Sequence, residues 1–469
     1  MKKEILYLSL CPLSLSVSAS NGTPNIVIFI GDDCRYQDLG CYGSPDAITP
    51  NIDRLASEGI RFDNFFQATA MSSPTRQCLM TGLYPLRSGA YPNHAMSKPS
   101  TRSIVHYLTK LGYHVALQGK RHINPESVFP FDYIGPWKNV DPKLIEGFLK
   151  KRSEDKSPFC LFVCSNDPHY PWTRGDRSMF NPDSLTLPKF IVDTPETRDG
   201  YVGYLAEINQ LDKDLGAVDA LIQKYGFSEN TLFVFTSEHG FTFPFAKWTC
   251  YGQGLHTGFI ARWPGKIKPG SVSSALCEYV DVVPTLIDIA GGEIPSALDG
   301  KSFRSVLEGK TDNHKSYVYG IQTSRGIVYG GEHYAVRTVF DGRYRYILNL
   351  SHEEPFQCIQ MQEKDSIWYS WCDKAAFDSF AKKQVMRYVY RPEEELYDTG
   401  NDPYEINNLA YNEDYTEIKK HLKSMLMKWM KSQGDKGLLT EMEALEHMVP
   451  NNLEKYLKTK NKVILPCKD

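Results

Sequence analysis

The chain has 469 residues, and its 53 basic and 56 acidic side chains leave a net charge of −3. This length suits one large domain together with a smaller one. The near balance of charge excludes a strongly basic nucleic-acid-binding protein as a class and gives no electrostatic reason to bind an anionic membrane.

Residues 1–19 have the features of an export signal. Lys2 and Lys3 precede a mostly apolar stretch, and the small residues Ser18 and Ala19 suit cleavage by a signal peptidase. After this segment no stretch reaches the ~20 consecutive apolar residues that a membrane-spanning helix needs. We therefore predict a periplasmic or secreted protein without a membrane span.

The segment 20–310 alternates strand and helix signals. Continuous apolar runs predict buried strands, and apolar residues at helical spacing predict helices between them. The strands are predicted at 25–31, 113–118, 158–164 and 231–236, and the helices at 51–59 and 197–225. This alternation predicts an α/β catalytic domain in which helices cover both faces of a parallel sheet.

The pattern changes after about residue 292. Two strand-like runs, 334–340 and 344–350, flank the dipeptide Asp341-Gly342, which is a strong hairpin signal. A last helix is predicted from residue 415 to residue 432. We therefore predict a smaller C-terminal subdomain, residues 311–469, that contains antiparallel strands and a helix.

Charged side chains follow four of the predicted strands. They are Asp32 and Asp33 after the first strand, Lys120 and His122 after the second, His169 after the third, and Glu238 and His239 after the fourth. The carboxyl ends of parallel strands meet at one edge of a sheet, and ligands bind there. These side chains are therefore predicted to form an active site.

The pair Asp32-Asp33 has two interpretations. Adjacent carboxylates repel each other, and burying both is costly unless a cation neutralises them. A hard divalent metal bound through oxygen is one interpretation. A polar turn or a helix cap is the other, and it is the commoner one for an isolated pair of this kind.

The segment from Ser72 to Gly82 predicts a loop that enters a helix near Pro74 and a helix that ends at Gly82. The helix start would bring backbone N–H groups and a positive dipole end beside Ser72, which suits an anion. Arg76 adds a fixed cation with forked donors. An ordinary capped helix would explain the same residues.

This segment resembles the signature of the sulfatase family, which is Cys or Ser, any residue, Pro, Ser or Thr, Arg, two residues, Leu, one residue, Thr-Gly. Every fixed position matches. The resemblance implies that Ser72 is oxidised to formylglycine by a radical maturing enzyme and is then the nucleophile. It also implies an alkaline-phosphatase-like α/β fold, with a large mixed sheet sandwiched by helices and a smaller antiparallel sheet with a helix.

Further residues follow in the order that the family has them. The resemblance assigns Lys120 to a sulfate oxygen and His122 to the formylglycine hydroxyls. It gives His169 the protonation of the leaving atom and makes Lys247, with Arg76, a further cation on the sulfate. Taken singly, each of these residues would be an ordinary turn or surface residue.

The resemblance also implies one Ca²⁺ ion, bound by Asp32, Asp33, Glu238, His239 and the modified Ser72. The pair Glu238-His239 departs from the family's usual Asp-Asn or Asp-His. Glutamate is one methylene longer, and calcium prefers oxygen ligands to a histidine nitrogen. The identity of the metal therefore stays open at this point.

The substrate is implied less specifically. Residues 119–132 resemble the heparan N-sulfatase (N-sulfoglucosamine sulfohydrolase) subfamily most closely. The implied partner is a sulfated oligosaccharide or glycosaminoglycan fragment whose sulfate is on nitrogen or oxygen. Glu332, His333 and Arg337 are candidates for contacts with the sugar, and an ordinary solvated strand is the other interpretation of these three residues.

Two other functions remain open. A phosphoester hydrolase of the alkaline-phosphatase-like superfamily would keep an unmodified Ser or Thr and would hold two zinc ions with more histidines. The intact signature around Ser72 argues against it. A non-catalytic glycan-binding protein would carry the same residues with Ser72 never modified.

Overall fold

The computed structural model describes residues 22–361 and 367–458. The predicted export signal at residues 1–19 lies outside these ranges. Within them, no helix is both long enough and apolar enough to cross a membrane.

Nine strands form the larger sheet. Their bounds are β1 Asn25–Gly31, β2 Ile60–Phe66, β3 His114–Gly119, β4 Asp132–Ile134, β5 Phe159–Cys164, β6 Thr231–Ser237, β7 His256–Arg262, β8 Ser271–Ser273 and β9 Cys277–Glu278. The order across the sheet is β4-β3-β5-β1-β6-β7-β2-β8, and β9 also pairs with β2.

The strand directions divide this sheet into two parts. From β4 to β6 all neighbours are parallel, as predicted. Strand β7 is antiparallel to both β6 and β2, so the sheet is mixed, as the family resemblance implied. The alternation of strand and helix signals predicted only the parallel part, because β7 is buried but includes His256, Thr257 and Arg262 and so is not a continuous apolar run.

Fourteen α-helices are found in the described ranges. They are α1 Pro50–Ser57, α2 Ser72–Thr81, α3 Pro85–Ser88, α4 Ile104–Lys110, α5 Pro142–Asp155, α6 Pro195–Lys224, α7 Gly252–Leu255, α8 Val282–Ile289, α9 Arg304–Leu307, α10 Ile367–Ala375, α11 Ser379–Val389, α12 Thr416–Gln433, α13 Leu438–Glu443 and α14 Pro450–Leu457.

Strand β1 shows how the larger sheet separates two layers of helices. Its alternate residues Val27 and Phe29 pack in one hydrophobic cluster with side chains of α6 such as Leu205. Ile28 packs in a second cluster with side chains of α2 such as Leu79. The sheet is therefore covered on both faces, and the long buried run of β1 follows from that.

The smaller sheet is antiparallel throughout, with the strand order β10 Val318–Gln322, β11 Val336–Phe340, β12 Tyr344–Asn349 and β13 Glu394–Asp398. The predicted hairpin is confirmed, because β11 and β12 are joined at Asp341-Gly342, where Gly342 has a φ of +98°. Helix α12 packs on this sheet, but it is not the last helix as predicted, since α13 and α14 follow it. The division of the chain at residue 310 stays a prediction.

Candidate active site

The polar residues that follow β1, β3, β5 and β6 meet at one edge of the larger sheet. Backbone hydrogen bonds continue past the strand ends, from the Asp32 N–H to the Asp167 carbonyl oxygen (2.9 Å) and from the Glu238 N–H to the Gly31 carbonyl oxygen (2.8 Å). The parallel register of four neighbouring strands thus brings four loops side by side. This is the arrangement that the sequence predicted.

Ser72 lies at the first turn of α2, facing this edge. Its Oγ lies 3.3 Å from Oδ1 of Asp32 and 3.2 Å from Nε2 of His239. The helix begins two residues before the predicted start near Pro74, because Met71 is the last extended residue. Helix N-termini favour anions, since their N–H groups are unsatisfied and carry the positive end of the dipole.

The other end of α2 is as predicted. Gly82 has a left-handed φ of +69°, and its N–H bonds to the carbonyl oxygen of Cys78 at 3.0 Å. A glycine adopts this conformation without steric cost, which makes it a common helix end. All ten residues of α2 are buried, so the packing of the helix fixes the position of Ser72 beside Asp32 and His239.

Asp32, Asp33 and His239 form a buried group that could hold a metal ion. One ligand atom from each of the three lies within 4.8 Å of the others. Oδ1 of Asp33 is buried and accepts no hydrogen bond from the described residues, and in Glu238 one carboxylate oxygen pairs with Arg76 while the other lies 3.4 Å from Nε2 of His239. Buried acceptors without partners are costly, and a divalent cation would satisfy them. The donor set therefore fits a divalent cation.

Two lysines neutralise the aspartates of this group. The ammonium of Lys120 pairs with Asp32, and Nζ of Lys247 lies 2.6 Å from Oδ2 of Asp33. Burial raises the pKa of Asp33, but Lys247 and the neighbouring histidines outweigh it and hold that pKa at about 2. Asp33 is therefore ionised at neutral pH, as a metal ligand must be.

Arg76 is fully buried beside the same carboxylates. Its guanidinium pairs with Glu238, and one terminal nitrogen donates to the carbonyl oxygen of Lys120 at 3.2 Å. Burial raises the pKa of Glu238, but Arg76 and Lys120 outweigh it, so that pKa is well below its usual range. One terminal nitrogen is thus engaged by Glu238 and the other by Lys120, whereas the Nε of Arg76 makes no hydrogen bond within the described residues and is available to an anion.

His169 lies at the rim of the cluster. Its side chain is 41% exposed, and its Nε2 lies 3.9 Å from Oδ2 of Asp33. Its Nδ1 lies 2.5 Å from the carbonyl oxygen of Tyr170, so that nitrogen is the donor and Nε2 faces the cluster. Lys247 and burial lower the pKa of His169.

His122 is held at a left-handed φ of 51°, and its Nε2 lies 2.8 Å from Nδ1 of His94. Burial, followed by His94 and Lys120, lowers the pKa of His122 well below its usual value. The ring is therefore neutral at pH 7 and able to accept a proton.

Three residues near the site were missed by the sequence analysis. His94 lies in no recognisable motif, and Thr242 donates from Oγ1 to Oδ2 of Asp33 at 2.7 Å. Glu207 on α6 accepts from the backbone N–H groups of Thr173 (2.6 Å) and Arg174 (2.9 Å) and so supports the loop that carries His169. A carboxylate on the buried face of a long helix was the signal that could have identified Glu207.

The predicted sugar contacts are not drawn into this cluster by any hydrogen bond or ion pair among the described residues. Glu332 is exposed, and Nδ1 of His333 lies 3.2 Å from Oγ of Ser351. Arg337 is fully buried, and its Nε lies 2.5 Å from Oδ2 of Asp435. This burial argues against the sugar contact that was predicted for Arg337.

Comparisons with known families and proteins agree with this geometry. The sulfatase family model matches residues 24–292, and a model described as N-sulphoglucosamine sulphohydrolase, C-terminal, matches residues 237–383. The chain is 37% identical to an ulvan-active sulfatase of Formosa agariphila, over 89% of this chain and 82% of the relative. It is 26% identical to the N-sulphoglucosamine sulphohydrolase of Homo sapiens, over 89% of this chain and 92% of the relative.

Solved structures confirm the predicted fold class. A protein solved in complex with its substrate D-glucosamine-2-N,6-O-disulfate is similar with a TM-score of 0.69 at 21% identity, over 88% of this chain and 99% of that one. A phosphonate monoester hydrolase of Agrobacterium radiobacter has the same fold, with a TM-score of 0.67 at 17% identity over 87% of this chain and 96% of that one. The fold alone thus covers more than one chemistry, whereas the family match and the 37% relative are specific. The chain belongs to the sulfatase family of sulfate ester and sulfamate hydrolases.

Proposed function

We propose that the chain removes sulfate from a sulfated glycan through a formylglycine derived from Ser72. The observation that carries this proposal is the position of Ser72, whose Oγ lies within 3.3 Å of both Asp32 and His239. Arg76, Lys120 and Lys247 pair with carboxylates of the same buried cluster. A tetrahedral oxyanion at this place would meet one reactive side chain and several fixed cations.

The maturation of Ser72 supplies the nucleophile. Once oxidised by a radical maturing enzyme, residue 72 would offer a hydrated aldehyde whose hydroxyl attacks sulfur. Every other part of the mechanism depends on unmodified side chains of this chain. Their charges and hydrogen-bonding atoms are already in position, so they need little reorganisation during the reaction.

The three cations would stabilise charge that spreads over the sulfate oxygens as the ester bond breaks. Arg76 has an unpartnered Nε–H for this purpose. Removing one such contact in a dry site typically costs 10²–10³-fold in rate, or roughly 3–4 kcal/mol.

Two histidines would move the protons. Nε2 of His169 faces the cluster from its rim and would protonate the sugar oxygen or nitrogen that leaves. His122, which is neutral and half-buried near Lys120, would then accept a proton from the modified residue 72 so that sulfate is expelled. The two roles are separate because the two rings lie on different loops.

A calcium ion would be held by Asp32, Asp33, Glu238 and His239, with the modified residue 72 as a further ligand. The carboxylate oxygens suit calcium, and the buried Oδ1 of Asp33, which accepts no hydrogen bond from the described residues, supports the assignment. The ion would add to the charge that orients and polarises the sulfate.

Removal of the ion by a chelator should lower both the activity and the melting temperature, and added calcium should restore both. Restoration by zinc but not by calcium would contradict the assignment.

The substrate would be a sulfated oligosaccharide or a glycosaminoglycan fragment, sulfated on the nitrogen of glucosamine or on oxygen. The named activities of relatives support this class, since they include ulvan-active sulfatases and an N-sulphoglucosamine sulphohydrolase. Such substrates fit a periplasmic or secreted enzyme with the export signal at residues 1–19. We also propose the division into a catalytic domain, residues 20–310, and a C-terminal subdomain, residues 311–469.

A phosphoester hydrolase is the second candidate, because a phosphonate monoester hydrolase has the same fold. A glycan-binding protein with an unmodified Ser72 is the third. Matured protein, assayed against N-sulfated glucosamine, O-sulfated sugars and phosphate and phosphonate monoesters, separates the three. We expect sulfate release to dominate. Preferred release of phosphate, or no turnover by protein that carries formylglycine, would overturn the proposal.

The control for this assay is the variant Ser72→Ala. We expect its turnover to fall by at least about 10⁴-fold, because the nucleophile is lost. The fold should remain, since the serine hydroxyl contributes only two long contacts. Near-normal activity in Ser72→Ala would remove Ser72 from the mechanism.

A further inference from the structure

His94 makes a direct contact with the proposed base of the active site, although it belongs to none of the motifs above. Its Nδ1 lies 2.8 Å from Nε2 of His122, which is hydrogen-bonding distance. The second ring nitrogen of His122, Nδ1, is buried and has no hydrogen-bond partner among the described residues. The two nitrogens of His122 therefore have different surroundings.

We propose that His94 is a positioning residue that holds His122 in the tautomer with its proton on Nε2, which leaves Nδ1 as the basic atom. A neutral imidazole has one N–H donor and one acceptor nitrogen. If Nε2 of His122 donates to His94, the lone pair of His122 must be on Nδ1. This inference rests on the proposed function, in which His122 accepts a proton from residue 72.

The same hydrogen bond would help after the proton has moved. When Nδ1 of His122 accepts the proton, the ring becomes a cation, and its Nε2–H bond to His94 becomes charge-assisted and stronger. No proton has to pass to His94 for this effect. Lys120 and Arg76 oppose a cationic His122 ring, and a protonated His94 would do the same. Burial lowers the pKa of His94 to about 4, so at pH 7 His94 is neutral and its Nδ1 can accept a hydrogen bond from the cation.

The backbone of His94 is fixed by a distant part of the chain. The Val449 N–H donates to the His94 carbonyl oxygen at 2.9 Å, and the Met96 N–H donates to the His447 carbonyl oxygen at 2.8 Å. Ala95 and Met448 form an antiparallel bridge between these segments. The segment just before α14 thus sets the position of His94, and through it the orientation of the His122 ring.

The matched variants are His94→Asn and His94→Gly. His94 has a left-handed φ of 56°, and both asparagine and glycine tolerate that conformation, so the two variants differ mainly in the side chain. The amide oxygen of asparagine can take the place of Nδ1 and accept from His122. Glycine removes the acceptor.

The first readout does not depend on activity. Long-range ¹H–¹⁵N spectra of histidine side chains, recorded on protein with unmodified Ser72, distinguish the two tautomers, and a His122→Asn variant identifies the His122 signals. We expect the proton on Nε2 in the wild type and in His94→Asn, and a mixture of tautomers in His94→Gly. A proton on Nδ1 in the wild type, or an unchanged ratio in His94→Gly, would overturn the inference.

The second readout uses matured enzyme. Because His122 acts after the sugar has left, His94→Gly should lower kcat by about 10–10²-fold while kcat/KM changes little, and His94→Asn should recover most of kcat. An equal fall in kcat and kcat/KM would contradict the inference. A matured wild type that releases no sulfate would contradict the proposed function instead, and the tautomer measurement would still decide the role of His94.

A backbone variant tests the anchor separately. Val449 has a φ of −60°, which a proline adopts without strain, so Val449→Pro keeps this backbone angle while it removes the N–H that bonds to His94 and replaces the valine side chain with the ring. We expect the same loss of the single tautomer as in His94→Gly, although smaller. A tautomer ratio equal to that of the wild type would show that this hydrogen bond does not position His94.

Discussion

Arg76 and Arg337 are both fully buried, yet they lie in regions that use a buried charge differently. Arg76 is at the edge of the larger sheet, where Glu238 pairs with one terminal nitrogen but the Nε has no hydrogen-bond partner among the described residues. Arg337 is on β11 of the smaller sheet, where Asp435 binds its Nε and one terminal nitrogen and backbone carbonyl oxygens bind the other.

Whether all donors of a buried guanidinium are satisfied distinguishes a structural arginine from a functional one. Burying a guanidinium without satisfying its donors is costly, and folding alone gives no reason for it. The open Nε donor of Arg76 therefore points to an anion that binds there. The donors of Arg337 are already used, and its charge holds the smaller sheet to the segment between α12 and α13.

The largest effect that follows from this comparison is on stability. Arg337→Ala leaves Asp435 buried and unpaired, and we expect the free energy of unfolding to fall by about 3–5 kcal/mol. Chemical denaturation measures this loss, and kcat of the remaining folded protein should be unchanged. Arg337→Met combined with Asp435→Leu should recover part of the stability. A fall in kcat/KM for sugars, without loss of stability, would return Arg337 to the substrate contacts.

The counterpart variant, Arg76→Lys, should affect activity. Lysine keeps the charge but loses the fork of donors, so we expect kcat/KM to fall by roughly 10²–10³-fold. The melting temperature should change much less than in Arg337→Ala. The comparison would fail if Arg76→Lys kept full activity and only lowered the melting temperature.

His169 should give a smaller and more selective effect. In His169→Ala the loss of the proton donor should slow sugar substrates by about 10²-fold, while aryl sulfates, whose leaving groups need no proton, should slow far less. Rates for a series of leaving groups measure this difference. Equal losses across the series would argue against His169 as the acid.

The smallest predicted effect is a pH dependence of the protein's stability, which arises from a histidine at the junction of the two sheets. His256 begins β7 and stacks on Tyr36 with ring centroids 3.8 Å apart. Burial, together with Arg345 of the smaller sheet, lowers the pKa of His256 from 6.5 to about 3. The unfolded chain therefore takes up this proton first as the pH falls.

The contribution of His256 is thus complete above pH ~6.5 and is lost as the pH falls toward ~3, by at most ~1.4 kcal/mol per pH unit. Unfolding measured at pH 7 and pH 5 should show a smaller loss for His256→Gln than for the wild type. Equal losses of stability in the variant and the wild type would mean that the pKa of His256 is not lowered in the folded protein.

The sequence predicted the central strands closely, because long apolar runs bounded by polar residues define buried strands. The predicted run 25–31 is β1 itself, and the run 231–236 is β6 except for its last residue. It did not predict β7, because His256, Thr257 and Arg262 interrupt the apolar pattern of that strand.

The residues of the site also fall into those that the sequence predicted and those that it did not. Residues that directly follow strands could be assigned to one edge of the sheet from their positions alone. His94 could not, because its place depends on pairing with residues 447–449, which are far along the chain and carry no strand-like pattern. Both interpretations of Arg337, a sugar contact and a solvated strand residue, assumed an accessible side chain. In the structure that side chain is buried against Asp435.

The central claim is that residue 72 is the modified nucleophile of this site. Mass spectrometry of the peptide that contains Ser72, from protein made with its maturing enzyme, tests it directly. Conversion of serine to formylglycine lowers the mass by about two units, and we predict that active protein carries this change at residue 72. Fully active protein with an unmodified Ser72 would contradict the account.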